Sequence, residues 1–182
     1  MTSFIASNFV HVLAALVLLS RVADIGSTWL ISPKLLLEAN PLMRRLRYRF
    51  AVATLLLCLL PYYNTALGVI VLILSLLVTA SNLRGAWIIR TLGEAQYVAI
   101  VETALRRSTR IGAFALILAP AVCFALISGV MLYLSPSPRS WGHYPAVAFA
   151  YYAVGIAIFN SLWLQRAFRR AAQHRITGSH SG

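Results

Sequence analysis

The sequence predicts an all-α integral membrane protein: a bundle of five transmembrane helices with an interfacial amphipathic segment. Three observations carry this. Of its 182 residues 60% are hydrophobic and only 11% are charged, against about 25% charged in a soluble domain. The apolar residues gather in five runs, most of them close to the roughly 20 residues that a helix needs to cross a bilayer. A lone strand cannot satisfy its backbone in lipid, so the runs are helices. Finally, the 16 Lys and Arg lie beside the runs rather than in a basic module of their own. One helical membrane domain is expected over residues 1–172, followed by a polar, disordered tail over 173–182.

The first run extends from Phe4 to about Ile31 and carries Arg21 and Asp24 towards its end. It lacks a basic leader and an obvious cleavage site, so it reads as a retained helix and not a signal peptide. Pro33 helps end it, and a short turn follows. Asn40-Pro41 places an N-cap before a proline at the first helical position. The second run, about Leu42 to Leu60, begins there through a basic turn and closes at Pro61. The third run is Thr65 to Ile89.

The connection from Arg84 to Arg110 is the longest. Tyr97, Val98, Val101, Ala104 and Leu105 recur at helical spacing, with Glu94, Glu102, Arg106 and Arg107 mostly off that stripe. This predicts a helix lying on the membrane surface, with Glu102 and Arg106 as an i,i+4 pair. The fourth run is Ile111 to Leu134. The Ser135-Pro136-Ser137-Pro138 loop after it cannot be helical, and the fifth run is Tyr144 to Phe168. Ala121, Ala125 and Gly129, and again Ala153, Ala157 and Ser161, repeat every fourth residue. Such faces let helices approach closely, here between the last two helices or between protomers of a homo-oligomer.

Assigning connections to alternate sides leaves only Arg139 with the N-terminus and puts every other Lys and Arg opposite. The positive-inside rule then places the N-terminus outside and the C-terminus in the cytoplasm, as a multi-pass protein of a prokaryotic plasma (inner) membrane. Tyr62, Tyr63, Tyr133, Trp141 and Tyr144 mark the outer interface, and Trp29, Tyr48, Trp87 and Trp163 the inner one.

The net charge of +12 therefore serves topology and contact with anionic lipids at the inner face. No folded basic module remains for nucleic acid. Cys58 and Cys123 lie inside apolar runs and read as buried small hydrophobes. His11 and His143 read as structural, and no His-Glu-x-x-His, Gly-x-Ser-x-Gly or P-loop pattern is present.

Function is sought where the acids are, because a carboxylate near hydrocarbon is costly. The chain has four. Asp24 and Thr28 share a helix face, and Glu38 precedes Asn40 in the following turn. Two readings stand. Asp24 simply pairs with Arg21 three residues earlier; or Asp24, Thr28, Glu38 and Asn40 gather around a ligand. Carboxylate, hydroxyl and amide oxygens together suit a hard cation, with Asp24 and Glu38 as its charged ligands, or a polar solute. Ser81 and Asn82, and Asn160 and Ser161, reach the same depth on two other helices. Asn82 and Asn160 join the candidate site; ordinary interhelical hydrogen bonding is the alternative for both.

Asp24-x-x-x-Thr28 followed by Glu38-x-Asn40-Pro41 resembles the signature of a group of small polytopic prokaryotic membrane proteins classed as a domain of unknown function. The resemblance covers about 20 residues and implies that the turn matters, without implying a reaction. Three functions are expected from these residues, in order: a transporter- or channel-like protein binding a cation or polar solute at the inner acidic turn; a non-catalytic scaffold or assembly subunit; an intramembrane lipid-modifying enzyme.

Overall fold

A computed structural model describes residues 2–35, 37, 40–135, 137–138, 140 and 142–178. All regular structure among them is helical. Helix α1 (Thr2–Ile31) is followed by the short α2 (Pro41–Leu46) and α3 (Tyr48–Leu55), a 3-10 turn (Leu56–Leu59) and α4 (Leu60–Tyr63). The long α5 (Thr65–Leu92) leads into α6 (Glu94–Arg107), and α7 (Arg110–Leu134) and α8 (His143–Gly178) complete the chain.

Four stretches are long and apolar enough to cross a membrane: Asn8–Ile31, Thr65–Leu92, Arg110–Leu134 and His143–Arg170. The second run departs from expectation. Instead of one helix it is broken, leaving a shorter apolar stretch, Arg49–Tyr63. The break has a local cause at Arg47, whose φ of 50° and ψ of −133° cannot continue a helix; a bulky residue adopts such a conformation only where its surroundings impose it. The start is as expected: α2 begins at Pro41, and the Arg44 amide donates to the Asn40 carbonyl. Pro61 does not end the segment. It is buried inside α4, and Asn64 makes the turn, its side chain accepting from the amides of Ala66 and Leu67 to cap α5.

Helix α1 packs against α5, α7 packs against α8, and α5 also meets α8. The first pair closes tightly at Gly68, where an added Cβ would lie 2.7 Å from Pro61 Cγ and 3.2 Å from Leu13 Cδ2. The second pair is built from small residues and rings. Leu105, Ala113, Leu164 and Ala167 form a buried cluster, with Phe114, Trp163 and Phe168 against it. Across the middle, Tyr152 Oη donates to the Leu77 carbonyl at 3.2 Å.

Three smaller expectations are corrected. Of the stripe expected between the last two helices, Ala121 is buried, but Ala125 and Gly129 are exposed; the buried stripe of α7 is Ala113, Ala121 and Ser128. Glu102 pairs with Arg170 (3.4 Å), not Arg106, because α6 packs on α8. Cys123 is exposed and Cys58 half-buried, where both read as buried; α8 itself extends to Gly178.

Candidate functional site

Asp24 lies two turns before the end of α1, and only 8% of it is exposed. Its carboxylate forms an ion pair with Arg21 Nη1, the i,i+3 geometry available on one helix. The same guanidinium reaches two other elements. Its Nη2 donates to Thr54 Oγ1 on α3 at 2.8 Å, and Nη1 approaches Ser75 Oγ on α5 at 3.3 Å. Arg21 thus ties α1, α3 and α5 at one depth. Its planar fork suits this task, since several donors diverge from one rigid group.

Beside this tie lies a cavity of about 260 Å³. Arg21, Asp24, Thr28, Asn40 and Thr54 supply its polar wall, and Met43, Phe50, Val78 and Phe159 are among its apolar lining. The expected cluster of Asp24, Thr28 and Asn40 is therefore brought together around one space. Thr54 joins it, a residue that sequence reading passed over because a lone threonine in an apolar run has no distinguishing pattern.

Asn82 sits behind this wall. Its Nδ2 donates to Ser27 Oγ at 3.0 Å and Thr28 Oγ1 at 3.1 Å. Those hydroxyls in turn donate to the Asp24 carbonyl, at 2.9 and 3.0 Å. Asn82 thus holds Thr28 in place and does not line the cavity. Asn160 is half-buried on α8 and is not in the lining either; its neighbour Phe159 is. Ser81 is exposed, and Ser161 is half-buried. Glu38, the other carboxylate of the expected metal pair, lies outside the described residues. Among the described residues no cluster of three or more His, Cys, Asp or Glu side chains has metal-binding geometry.

A second polar centre was missed. Glu94, the first residue of α6, is 9% exposed. Its Oε1 accepts from Ser32 Oγ and from the Leu37 amide at 3.3 Å, and its Oε2 accepts from the Lys34 amide at 3.0 Å. The Leu37 amide also donates to Ser32 Oγ at 3.2 Å. Leu35, at φ 55°, turns this loop back on itself so that its amides converge; successive amides in such turns make an anion-binding concavity. Here the anion is the protein's own carboxylate. Glu94 therefore fastens the loop leading from α1 to Asn40. The available signal was the scarcity of acids, set beside Gly93 at φ 82°, which lets the chain turn sharply into α6.

At the other end of α1, His11 Nδ1 and Tyr62 Oη lie 2.9 Å apart with their rings edge to face. This contact pins α4 against α1. No family model, curated protein or solved structure matches the chain.

Proposed function

We propose that this chain is a transporter- or channel-like membrane protein that binds a small polar solute in the Arg21–Asp24 cavity. The observation behind the reading is the composition of that wall. A guanidinium, a carboxylate, two hydroxyls and an amide face one space of about 260 Å³ within an otherwise apolar bundle. Intramembrane ionisable groups are costly and commonly mark substrate or ion pathways. Asp24 is already neutralised by Arg21, so the arrangement favours a solute carrying both signs, or none, over a bare cation. A zwitterion or a polyol meets that description.

In this reading the broken α2–α4 segment makes the fifth crossing. It runs antiparallel to α1, with Thr54 opposite Arg21 and Tyr62 opposite His11. The side rich in Lys and Arg is cytoplasmic, α6 lies on the inner leaflet of a prokaryotic plasma membrane, and anionic lipids gather there. A scaffold reading has one specific observation in its favour: Arg21 bonds to Asp24, Thr54 and Ser75, as a purely structural clamp would.

Thermal melts of detergent-purified protein separate the two. Wild type, Asp24→Asn and Thr28→Val are screened against amino acids, betaines, polyols and monovalent and divalent cations. A ligand of the folded state raises the melting temperature by mass action. The solute-binding reading expects a zwitterion or polyol to shift wild type and not Thr28→Val, whose unliganded melting point falls only slightly because Asn82 keeps its bond to Ser27. If no solute shifts wild type and Asp24→Asn simply melts lower, the clamp is structural and the scaffold reading replaces it.

A further inference from the structure

We propose that a cleft between the first turn of α7 and the end of the spanning stretch of α8 binds the phosphate of an anionic phospholipid headgroup. The cleft encloses about 250 Å³ and is lined by Arg110, Phe114, Gln165, Phe168 and Arg169. That is below the roughly 300–1,000 Å³ of pockets for drug-sized molecules, and in keeping with a phosphodiester and its polar substituent. Arg110 opens the membrane-length stretch of α7, and Arg169 lies one residue from the end of that of α8. The cleft is therefore at headgroup level by construction, on the basic side of the protein.

Among the described residues no carboxylate pairs with its two arginines. The ion pairs among the described residues are Arg21–Asp24 and Arg170–Glu102; neither Arg110 nor Arg169 takes part. The Arg110 guanidinium carbon lies over the Phe168 ring, 5.8 Å from its centroid, a cation–π distance that holds the charge at the cleft. Nearby on α8, Arg166 buries Nη1 without an acceptor among the described residues. The start of α7 adds the positive end of its helix dipole, and Gln165 offers a neutral donor. Basic pockets between helices at the cytoplasmic interface hold anionic headgroups for these reasons.

The apolar walls distinguish a lipid from a free anion. Phe114 and Phe168 line the cleft, and α7 carries further exposed apolar residues beside it, Ile111 and Leu116 at 84% and 79% exposure. The acyl chain of a lipid can lie against the two rings, a contact that inorganic phosphate cannot make.

The proposal rests on the membrane reading and not on the Arg21–Asp24 cavity, so its test uses different residues and a different ligand. Full-length protein in mild detergent is titrated with phosphatidylglycerol, phosphatidylcholine or inorganic phosphate, and bound lipid is counted by native mass spectrometry beside the melting temperature. Phosphatidylglycerol should bind and stabilise wild type, while the other two leave it unchanged. Each arginine near an anionic headgroup is worth about fivefold in affinity, so Arg169→Gln should weaken binding about fivefold and the Arg110→Gln/Arg169→Gln pair about 25-fold. Arg44→Gln/Arg45→Gln, which removes the same charge from exposed positions on α2, should leave binding unchanged. Equal loss in that control would reduce the effect to general basicity and overturn the site. So would full retention in Arg169→Gln, an exposed position whose substitution leaves the fold intact even if the double variant does not fold. Stabilisation by inorganic phosphate equal to that by the lipid would overturn the lipid as the ligand.

Discussion

The two halves of the bundle are held by different forces. Between α1, α3 and α5 the joints are polar: Arg21 to Asp24, Thr54 and Ser75, and Asn82 to Ser27 and Thr28. Between α7 and α8 the contacts are small residues and aromatic rings. Phe124 meets the Phe149 and Tyr152 rings at centroid distances of 5.8 and 4.9 Å, and one hydrogen bond runs from Ser128 Oγ to the Ala146 carbonyl at 2.7 Å. Lipid tails are as apolar as leucine, so burial alone does not join helices in a bilayer; hydrogen bonds and close packing do. This chain uses mainly the first in one half and mainly the second in the other. A polar joint concentrates its energy in a few atoms, where single substitutions are severe. A packed joint spreads it over many contacts. The cavity lies in the polar half, where the groups that hold the helices can also meet a solute.

Breaking the polar half at its centre should have the largest effect. Arg21→Met leaves Asp24 buried without its partner, and breaking such a pair typically destabilises by 3–5 kcal/mol. Asp24→Leu alone leaves the guanidinium its two hydroxyl contacts and should lose less. The double variant should recover much of the loss, since replacing both members of a buried pair with apolar residues is often close to neutral. Denaturation in mixed micelles would measure the cycle. Equal, additive losses would show that the two side chains do not act as a pair, and the contrast between the halves would lose its main support.

Glu94 tests whether the polar style extends to the loop. Glu94→Ala removes the acceptor for Ser32 Oγ and the amides of Lys34 and Leu37. Leaving buried donors unmet costs about 1–3 kcal/mol, below the Arg21 effect because loop amides can turn to water. Hydrogen exchange at Lys34 and Leu37 should accelerate while exchange in α7 stays as in wild type. Unchanged protection of both amides would mean that the loop holds itself.

These two centres were unequally legible in the sequence. Arg21 and Asp24 are three residues apart on a helix whose apolar run is plain, so their pairing follows from helical geometry. The Asn40-Pro41 start of α2 is equally local. Glu94 is different: its partners Ser32, Lys34 and Leu37 are 62, 60 and 57 positions away, and two of them are backbone amides, which no residue pattern encodes. Its place off the apolar stripe of α6 suggested solvent. The break at Arg47 was hidden for a related reason, since apolar periodicity runs across it and no Gly or Pro marks it. Asn160 shows the converse. Depth along a helix can be counted from the sequence, but which helix faces which cannot, and at this level α8 offers Phe159 to the cavity instead.

The smallest effect should come from Ser128, the hydrogen bond of the packed half. Ser128 is 3% exposed and its hydroxyl donates to a carbonyl of α8, so in water its loss would register clearly. In a bilayer such interhelical bonds average about 0.6 kcal/mol, because a helix separated in lipid finds other partners. The Ala146 carbonyl also belongs to the first turns of α8 and keeps its place in the helix without Ser128. Alanine moreover preserves the close approach that the small-residue face of α7 provides. Ser128→Ala should therefore lower stability by about 0.6 kcal/mol or less, measured by the same micellar denaturation as the Arg21 cycle. A loss approaching that of Arg21→Met would place a polar joint at the heart of the packed half as well, and the division of labour between the two helix pairs would not hold.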